Sequence, residues 1–248
     1  MIRIAAVGDL HYDRRSVGRL KKFMSTLKSN ADLLLLAGDL TQTGLPEEAM
    51  SLADDLAESP VPVIAVFGNH DYHSDEIDKI SRILSRAGIV VLEGGSVSFV
   101  INSYTVGVVG LKGFGGGFIG ACGVDFGERE MKEFIRFTKS QAEALRVGLQ
   151  SLNTDYKIAL THYSPTEHTL LGEKREIYPF LGSYLLAEAI DKGGADIAFH
   201  GHAHHGVEKG TTPKGIPVRN VALPVIRNAY NIYYVEKPDV PQQTTRAI

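Results

Sequence analysis

Long apolar runs, cysteine pairs and an excess of basic residues are all missing from this chain of 248 residues, and each absence removes a class of protein. No apolar stretch approaches the ~20 residues needed to cross a bilayer, so no membrane insertion is expected. Met1 leads almost at once into a strand-like segment, without the basic start and apolar stretch of a signal peptide; a cytoplasmic location is the expectation. A single cysteine, Cys122, excludes an intramolecular disulfide and any multi-cysteine zinc or iron–sulfur site, and is itself read as a core or loop residue. The formal net charge of -3 gives no long-range field for nucleic acid. Lys and Arg are scattered rather than gathered into a basic, aromatic-lined track, so a nuclease acting on nucleic acid is the less favoured reading.

What is present is a globular composition, 44% hydrophobic and 22% charged, which supports a sizeable core. No linker interrupts the pattern, and residues 1–236 are read as one domain, with 237–248, rich in Pro, Gln and Thr, as a loose tail. Residues 2–7, 33–37 and 61–67 are apolar runs rich in Val, Ile and Leu, as expected of strands covered on both faces. Amphipathic helical spacing fills residues 17–27, 46–57 and 76–87, so the first third reads βαβαβα. Right-handed crossovers make those strands parallel and gather the loops at their carboxyl ends along one edge. Strands are expected at residues 89–92, 97–101 and 104–111, joined by Gly94-Gly95 and Asn102-Ser103 turns. A long helix follows near 128–152, then strands near 157–161, 196–199, 218–222 and 231–235 in a second, mixed sheet, with a helix at 184–192.

The strand ends carry the chemistry. Asp9-Leu10-His11 follows the first strand, and an i, i+2 spacing in extended chain would send carboxylate and imidazole to one face. Gly38-Asp39 ends the second strand; an anionic oxygen there suits a bridging position, because it offsets repulsion between two cations ~3.5–4 Å apart. Gly68-Asn69-His70-Asp71 ends the third, offering a neutral oxygen from Asn69 and a histidine free to stay near substrate. His162 ends a fourth strand, and Gly201-His202-Ala203-His204 follows a fifth. Taken singly, these are ordinary turn caps, Gly-Asn turns and loop histidines. Their combination points to metal, and the mixture of imidazole with carboxylate and amide oxygen favours transition metals over Mg or Ca. Manganese and iron lead, with Zn, Ni and Co as alternatives.

Asp-x-His, Gly-Asp, Gly-Asn-His-Asp, a later His and Gly-His-x-His together resemble the calcineurin-like metallophosphoesterase superfamily, and the resemblance spans residues 9–204. It implies an α/β fold, a four-layer αββα sandwich of two mixed β-sheets flanked by helices. It also implies one divalent or mixed-valence metal ion on Asp9, His11, Asp39 and His204, and a second on Asp39, Asn69, His162 and His202. His70 is then the catalytic group, off the metals and assisting at the phosphate, with Asp71 as its orienting partner. Such a pair of metals activates water for in-line attack on phosphorus. The stretch Gly38-Asp39-Leu40-Thr41 departs from the Gly-Asp-Asp-Arg-Gly type pattern of protein serine/threonine phosphatases and looks more like the small bacterial phosphodiesterases. A phosphodiester is the expected substrate, with a small phosphomonoester and a non-catalytic metal-binding scaffold as alternatives.

Two further segments have unusual composition. Residues 113–123 are glycine-rich and contain Phe114 and Phe118, which together with Asn69 and His70 are candidates for contact with substrate. A surface loop or a contact between subunits explains that composition equally, which leaves a homo-oligomer open. Residues 164–182 could act as a lid, and His73, His168, His200 and His205 fit no ligand position.

Overall fold

The computed structural model describes residues 1–236; the expected tail at 237–248 lies outside the described residues. The chain begins β1 (Ile2–Val7), α1 (Lys21–Asn30), β2 (Leu33–Ala37), α2 (Pro46–Leu56), β3 (Val63–Val66), α3 (Ile77–Arg86) and β4 (Ile89–Val91). It continues through β5 (Gly95–Ile101), β6 (Tyr104–Leu111), β7 (Gly117–Phe118), β8 (Ala121–Cys122), α4 (Arg129–Ser151) and β9 (Tyr156–Thr161). The remainder is α5 (Tyr178–Leu181), α6 (Tyr184–Gly193), β10 (Ile197–His200), β11 (Lys209–Thr211), β12 (Pro217–Asn220), α7 (Leu223–Ile226) and β13 (Asn231–Val235).

One sheet has the order β13-β1-β2-β3-β4 and the other β11-β12-β10-β9-β6-β5. Strand β2 shows how they stack. Its five residues are all buried, and successive side chains alternate between faces. Leu34 and Leu36 join Leu27, Leu52, Leu56, Ile80 and Leu84 in a core under α1, α2 and α3. Leu33 and Leu35 face the other way and meet Val106, Val108, Ile158, Leu160 and Phe199 of the second sheet. That sheet in turn sends Val109, Leu111 and Ala159 to Leu145 and Leu149 of α4 and to Leu186 and Ile190 of α6. The layers are therefore helix, sheet, sheet, helix, the expected sandwich. Among the described residues no helix is long and apolar enough to cross a membrane.

One expected sheet assignment changes. Strand β13 pairs antiparallel with β1 in the first sheet instead of extending the second, because the free edge of β1 accepts the register Ile2↔Val235 through Ala6↔Asn231. Strands β4 and β5 fall in different sheets, so the glycine pair, with Gly94 at φ +90°, moves the chain from one sheet to the other. Of these two turns it is Asn102-Ser103, with φ of +50° and +69°, that closes a hairpin, and those positive angles match the twist of the strands it joins.

Helix α1 begins at Lys21, later than the apolar spacing suggests, for a reason that lies outside the helix. The buried Asp55 carboxylate of α2 accepts Gly18 N–H at 2.6 Å, Leu20 N–H at 2.9 Å and the Tyr12 hydroxyl at 2.7 Å. It holds the preceding turn in place and caps α1 from a neighbouring element. Asp55→Ala would leave those donors unsatisfied in a buried place; a loss of about 2–3 kcal/mol is expected by chemical denaturation, and a midpoint equal to wild type would show the cap to be unimportant.

Candidate metal centre

The carboxyl ends of β1, β2, β3, β9 and β10 meet at one edge of the sandwich, and the five sequence clusters occupy the turns there. The turns are not the extended segments expected from the spacing. Asp9, His11, Asp39 and His202 have φ of +55°, +46°, +47° and +70°, in the left-handed region that side-chain-bearing residues avoid. Each such residue costs of order 1–3 kcal/mol and persists where its surroundings over-determine it. Here the surroundings are a continued ladder: Asp9 N–H donates to Gly38 O, His11 N–H to Asp39 O and Tyr12 N–H to Leu40 O, each at 2.9 Å. The convergence of Asp9 and His11 thus comes from two left-handed residues on a shared ladder rather than from strand alternation.

Glycine lets these loops approach one another. A Cβ on Gly68 would overlap the Asp39 carboxylate, and one on Gly201 would overlap that of Asp9. The space is instead used for backbone contacts to the same carboxylates. His70 N–H donates to Asp39 Oδ1 at 2.9 Å, and His202 N–H to Asp9 Oδ2 at 2.9 Å.

Two clusters result. Asp9, His11, Asp39 and His204 present ligand atoms all within 4.8 Å of one another, and Asp39, His162 and His202 do the same. Asp39 belongs to both. Asn69 joins the second cluster, its Oδ1 lying 3.0 Å from His162 Nε2. Backbone carbonyls set the imidazoles: His162 Nδ1 lies 3.0 Å from Ala37 O, and His202 Nε2 lies 3.2 Å from Phe180 O. An N–H donated to each carbonyl leaves the other ring nitrogen with a free lone pair, as a metal ligand requires. His204 Nε2 sits 2.8 Å from Asp9 Oδ1.

The electrostatics suit a cation. Burial pushes His162 and His202 down to about 3 and His11 to about 4, so all three imidazoles are neutral at pH 7. Burial raises the Asp9 carboxyl, while its hydrogen bond to His204 raises that imidazole, so the pair holds a proton that a cation would displace. His11 gives the sharpest indication. Both of its ring nitrogens are buried without a hydrogen-bond partner, although Asp39 Oδ2 lies only 3.9 Å from Nε2. A buried unpaired imidazole is costly, and a cation among these donors satisfies it.

His70 stands beside the clusters, its ring 4.5 Å from that of His11. Nδ1 lies 2.7 Å from Gln42 O, and Nε2 lies 3.9 Å from Asp39 Oδ2. Its anchor is therefore the Gln42 carbonyl and not Asp71. The buried Asp71 carboxylate instead accepts Gly68 N–H at 2.8 Å, Thr41 N–H at 2.8 Å, Leu40 N–H at 3.2 Å and the Thr41 hydroxyl at 2.6 Å. It ties the loop after β3 to the loop after β2. Burial, with repulsion from Asp39, raises its carboxyl to about 7 against the pull of those donors. Sequence spacing does not reveal this role, because the partners are backbone amides of another strand.

The glycine-rich loop folds into the β7–β8 hairpin and docks on the 164–182 segment through Gly116 N–H to Pro179 O and Gly117 N–H to Gly182 O. Phe118 is buried with Leu170 and Leu181 against Ala203, the residue between the two cluster histidines. Phe114 is half-buried among Phe134, Phe137 and Tyr163, with ring centroids 4.9–5.6 Å away. Cys122 is exposed on the hairpin. His200 is buried, 2.8 Å from the Thr169 hydroxyl, and serves packing.

Gly68→Ala tests the close approach on which Asp39 depends. Displacement of that carboxylate should lower the bound metal, measured by mass spectrometry, by at least tenfold at limiting supply, with the fold retained by circular dichroism. Full metal content in the variant would show that the contact is relaxed at no cost.

A model of the calcineurin-like phosphoesterase family matches residues 2–206. No curated protein matches the chain. Among solved structures it is similar to the phosphopantetheinyl hydrolase PptH of Mycobacterium tuberculosis, with a TM-score of 0.64, 17% identity and 90% of each chain covered. It is also similar to TT1561 of Thermus thermophilus, with a TM-score of 0.53, 18% identity and 88% of each chain covered. A third is GAP50, the anchor in the inner membrane complex of Plasmodium, with a TM-score of 0.55, 11% identity, and 90% of this chain and 72% of that one covered. These likenesses share the fold, the family match spans the whole edge on which the two clusters lie, and the chain belongs to the calcineurin-like phosphoesterase family of metal-dependent phosphoester hydrolases.

Proposed function

We propose that the chain is a phosphodiesterase, one catalytic domain over residues 1–236, in which Asp9, His11, Asp39 and His204 hold one cation and Asp39, Asn69, His162 and His202 hold a second. The supporting observation is His11, a buried imidazole with two unpartnered ring nitrogens inside a set of carboxylates and imidazoles that share Asp39. When bound, such a pair of cations supplies an acidified water and positive charge against the phosphate oxygens. Manganese and iron suit the mixed nitrogen and oxygen donors best.

The chain's own residues do the rest. Asp39, fixed by His70 N–H, places negative charge between the two groups of ligands. His70 donates from Nδ1 to Gln42 O, which orients Nε2 as the atom that gives a proton to the leaving oxygen. A diester is favoured over a monoester because the loop Gly38-Asp39-Leu40-Thr41 lacks the arginine that clamps a more highly charged phosphate in the protein phosphatase pattern. GAP50, which shares the fold, is named as an anchor, and attachment is the competing reading. A pure anchor has no need of His70 turned to the cluster edge, and hydrolysis accounts for it.

The test is metal content followed by turnover with Mn on bis-p-nitrophenyl phosphate, p-nitrophenyl phosphate, cyclic nucleotides and single-stranded DNA. About two ions per chain and faster cleavage of the diester are expected. Bound metal with no turnover on any of them would favour an anchoring role, and faster monoester cleavage would remove the diester preference. His70→Ala should keep both ions while cutting turnover by about 10²–10⁴; loss of the ions in that variant would reassign His70 to the metal shell.

A further inference from the structure

A groove of 280 Å³ lies beside the loop that carries Asp9 and His11, and its lining includes Arg19, Lys22 and Arg227 with no Asp or Glu. Nearby Arg14 and Arg15 are paired, with Glu47 and Asp13 respectively. Among the described residues the three groove cations have no ion-pair partner. In a chain whose net charge is -3, that is a local concentration of uncompensated positive charge.

The groove is fastened to the metal loop on both sides of Asp9. Arg19 donates to Leu10 O at 2.5 Å, and its guanidinium lies 5.1 Å from the Tyr12 ring centroid, which fixes its position. On the other wall, Gly8 N–H donates to Val221 O at 2.8 Å and Leu223 N–H to Gly8 O at 2.9 Å, seating α7 directly on the residue before Asp9. Arg227 ends α7 with φ of +54°, a left-handed position that glycine or asparagine fills at lower cost. Lys22 lies in the first turn of α1, which has no acidic residue of its own and is capped by Asp55 of α2. Arg19 and Lys22 line one side of the groove and Arg227 the other, so an anion seated there would meet positive charge from both walls.

We infer that this groove binds a second phosphate of the substrate, carried on the part of the ester that remains after the hydrolysed bond is cut. The inference rests on the phosphodiesterase reading. A terminal phosphate carries about -1.5 to -2 charge at neutral pH, and a pair of guanidinium forks with an ammonium matches its oxygens. Phe23 and Leu223, both partly exposed, supply an apolar strip for the linker between the two phosphates.

The experiment compares p-nitrophenyl phosphodiesters whose second arm is an alkyl chain of graded length ending in either a phosphate or a hydroxyl. The terminal phosphate should raise kcat/KM by about tenfold at the best length, and the advantage should shrink as salt is added. In Lys22→Ala/Arg227→Ala the ratio between the two esters should fall to about one. Arg227→Gly, which relieves the left-handed backbone while removing the charge, should lower the ratio without loss of thermal stability. A wild-type ratio near one at every length, or a ratio preserved in the double variant, overturns the inference while hydroxyl-ester turnover leaves the hydrolase reading standing. If neither ester nor bis-p-nitrophenyl phosphate is cleaved by metal-loaded protein, the hydrolase reading fails and takes the groove with it.

Discussion

The Asp39 carboxylate, held by the amide of His70 and shared by both ligand clusters, is the contact around which the rest of the edge is arranged. Its backbone is left-handed, Gly68 yields the volume it occupies, and the His11 amide donates to its carbonyl. Asp71 fastens the two loops that meet there through Leu40, Thr41 and Gly68. Apart from the Asp71 contacts, these features cost stability rather than add to it. Together they hold a carboxylate, three neutral imidazoles and a second buried carboxylate in a small volume, where mutual repulsion and desolvation oppose assembly. A sandwich with three separate apolar cores can sustain that opposition.

Burial acts on these groups in opposite directions. It removes protons from His11, His162 and His202 and favours retention of a proton on Asp9. The lone pairs are thereby prepared for a cation, while the proton shared by Asp9 and His204 must leave when one arrives. For the proposed cations, the site would be preorganised in its nitrogen donors and gated in one of its oxygen donors.

Much of this was legible in the chain. Strands covered on both faces must be apolar throughout, so β1, β2 and β3 are visible as runs such as Leu33 to Leu36, and a parallel arrangement then sends Asp9, Asp39 and Asn69 to the same edge. The histidines of β9 and β10 follow by the same logic. What escaped was decided by backbone atoms of distant segments. The carbonyls of Ala37, Gln42 and Phe180 orient three histidines, yet a carbonyl has no sequence signature. The left-handed turn at Asp9 and His11 is imposed by the ladder to Gly38 and Asp39, so spacing alone suggested extended chain. Similarly, β13 alternates like any strand; only the open edge of β1 decides which sheet receives it.

The first sheet contributes Asp9, His11, Asp39 and Asn69, and the second contributes His162, His202 and His204. Each cluster therefore straddles the seam between the sheets, and Asp9 and His204 meet across 195 residues of sequence. A cation held there would be a rivet between two layers joined elsewhere mainly by side-chain packing and by a few hydrogen bonds such as Gly8 N–H to Val221 O. Its binding free energy is expressed as resistance to the sliding or parting of the sheets, so loss of metal should loosen the seam before any single strand or helix melts.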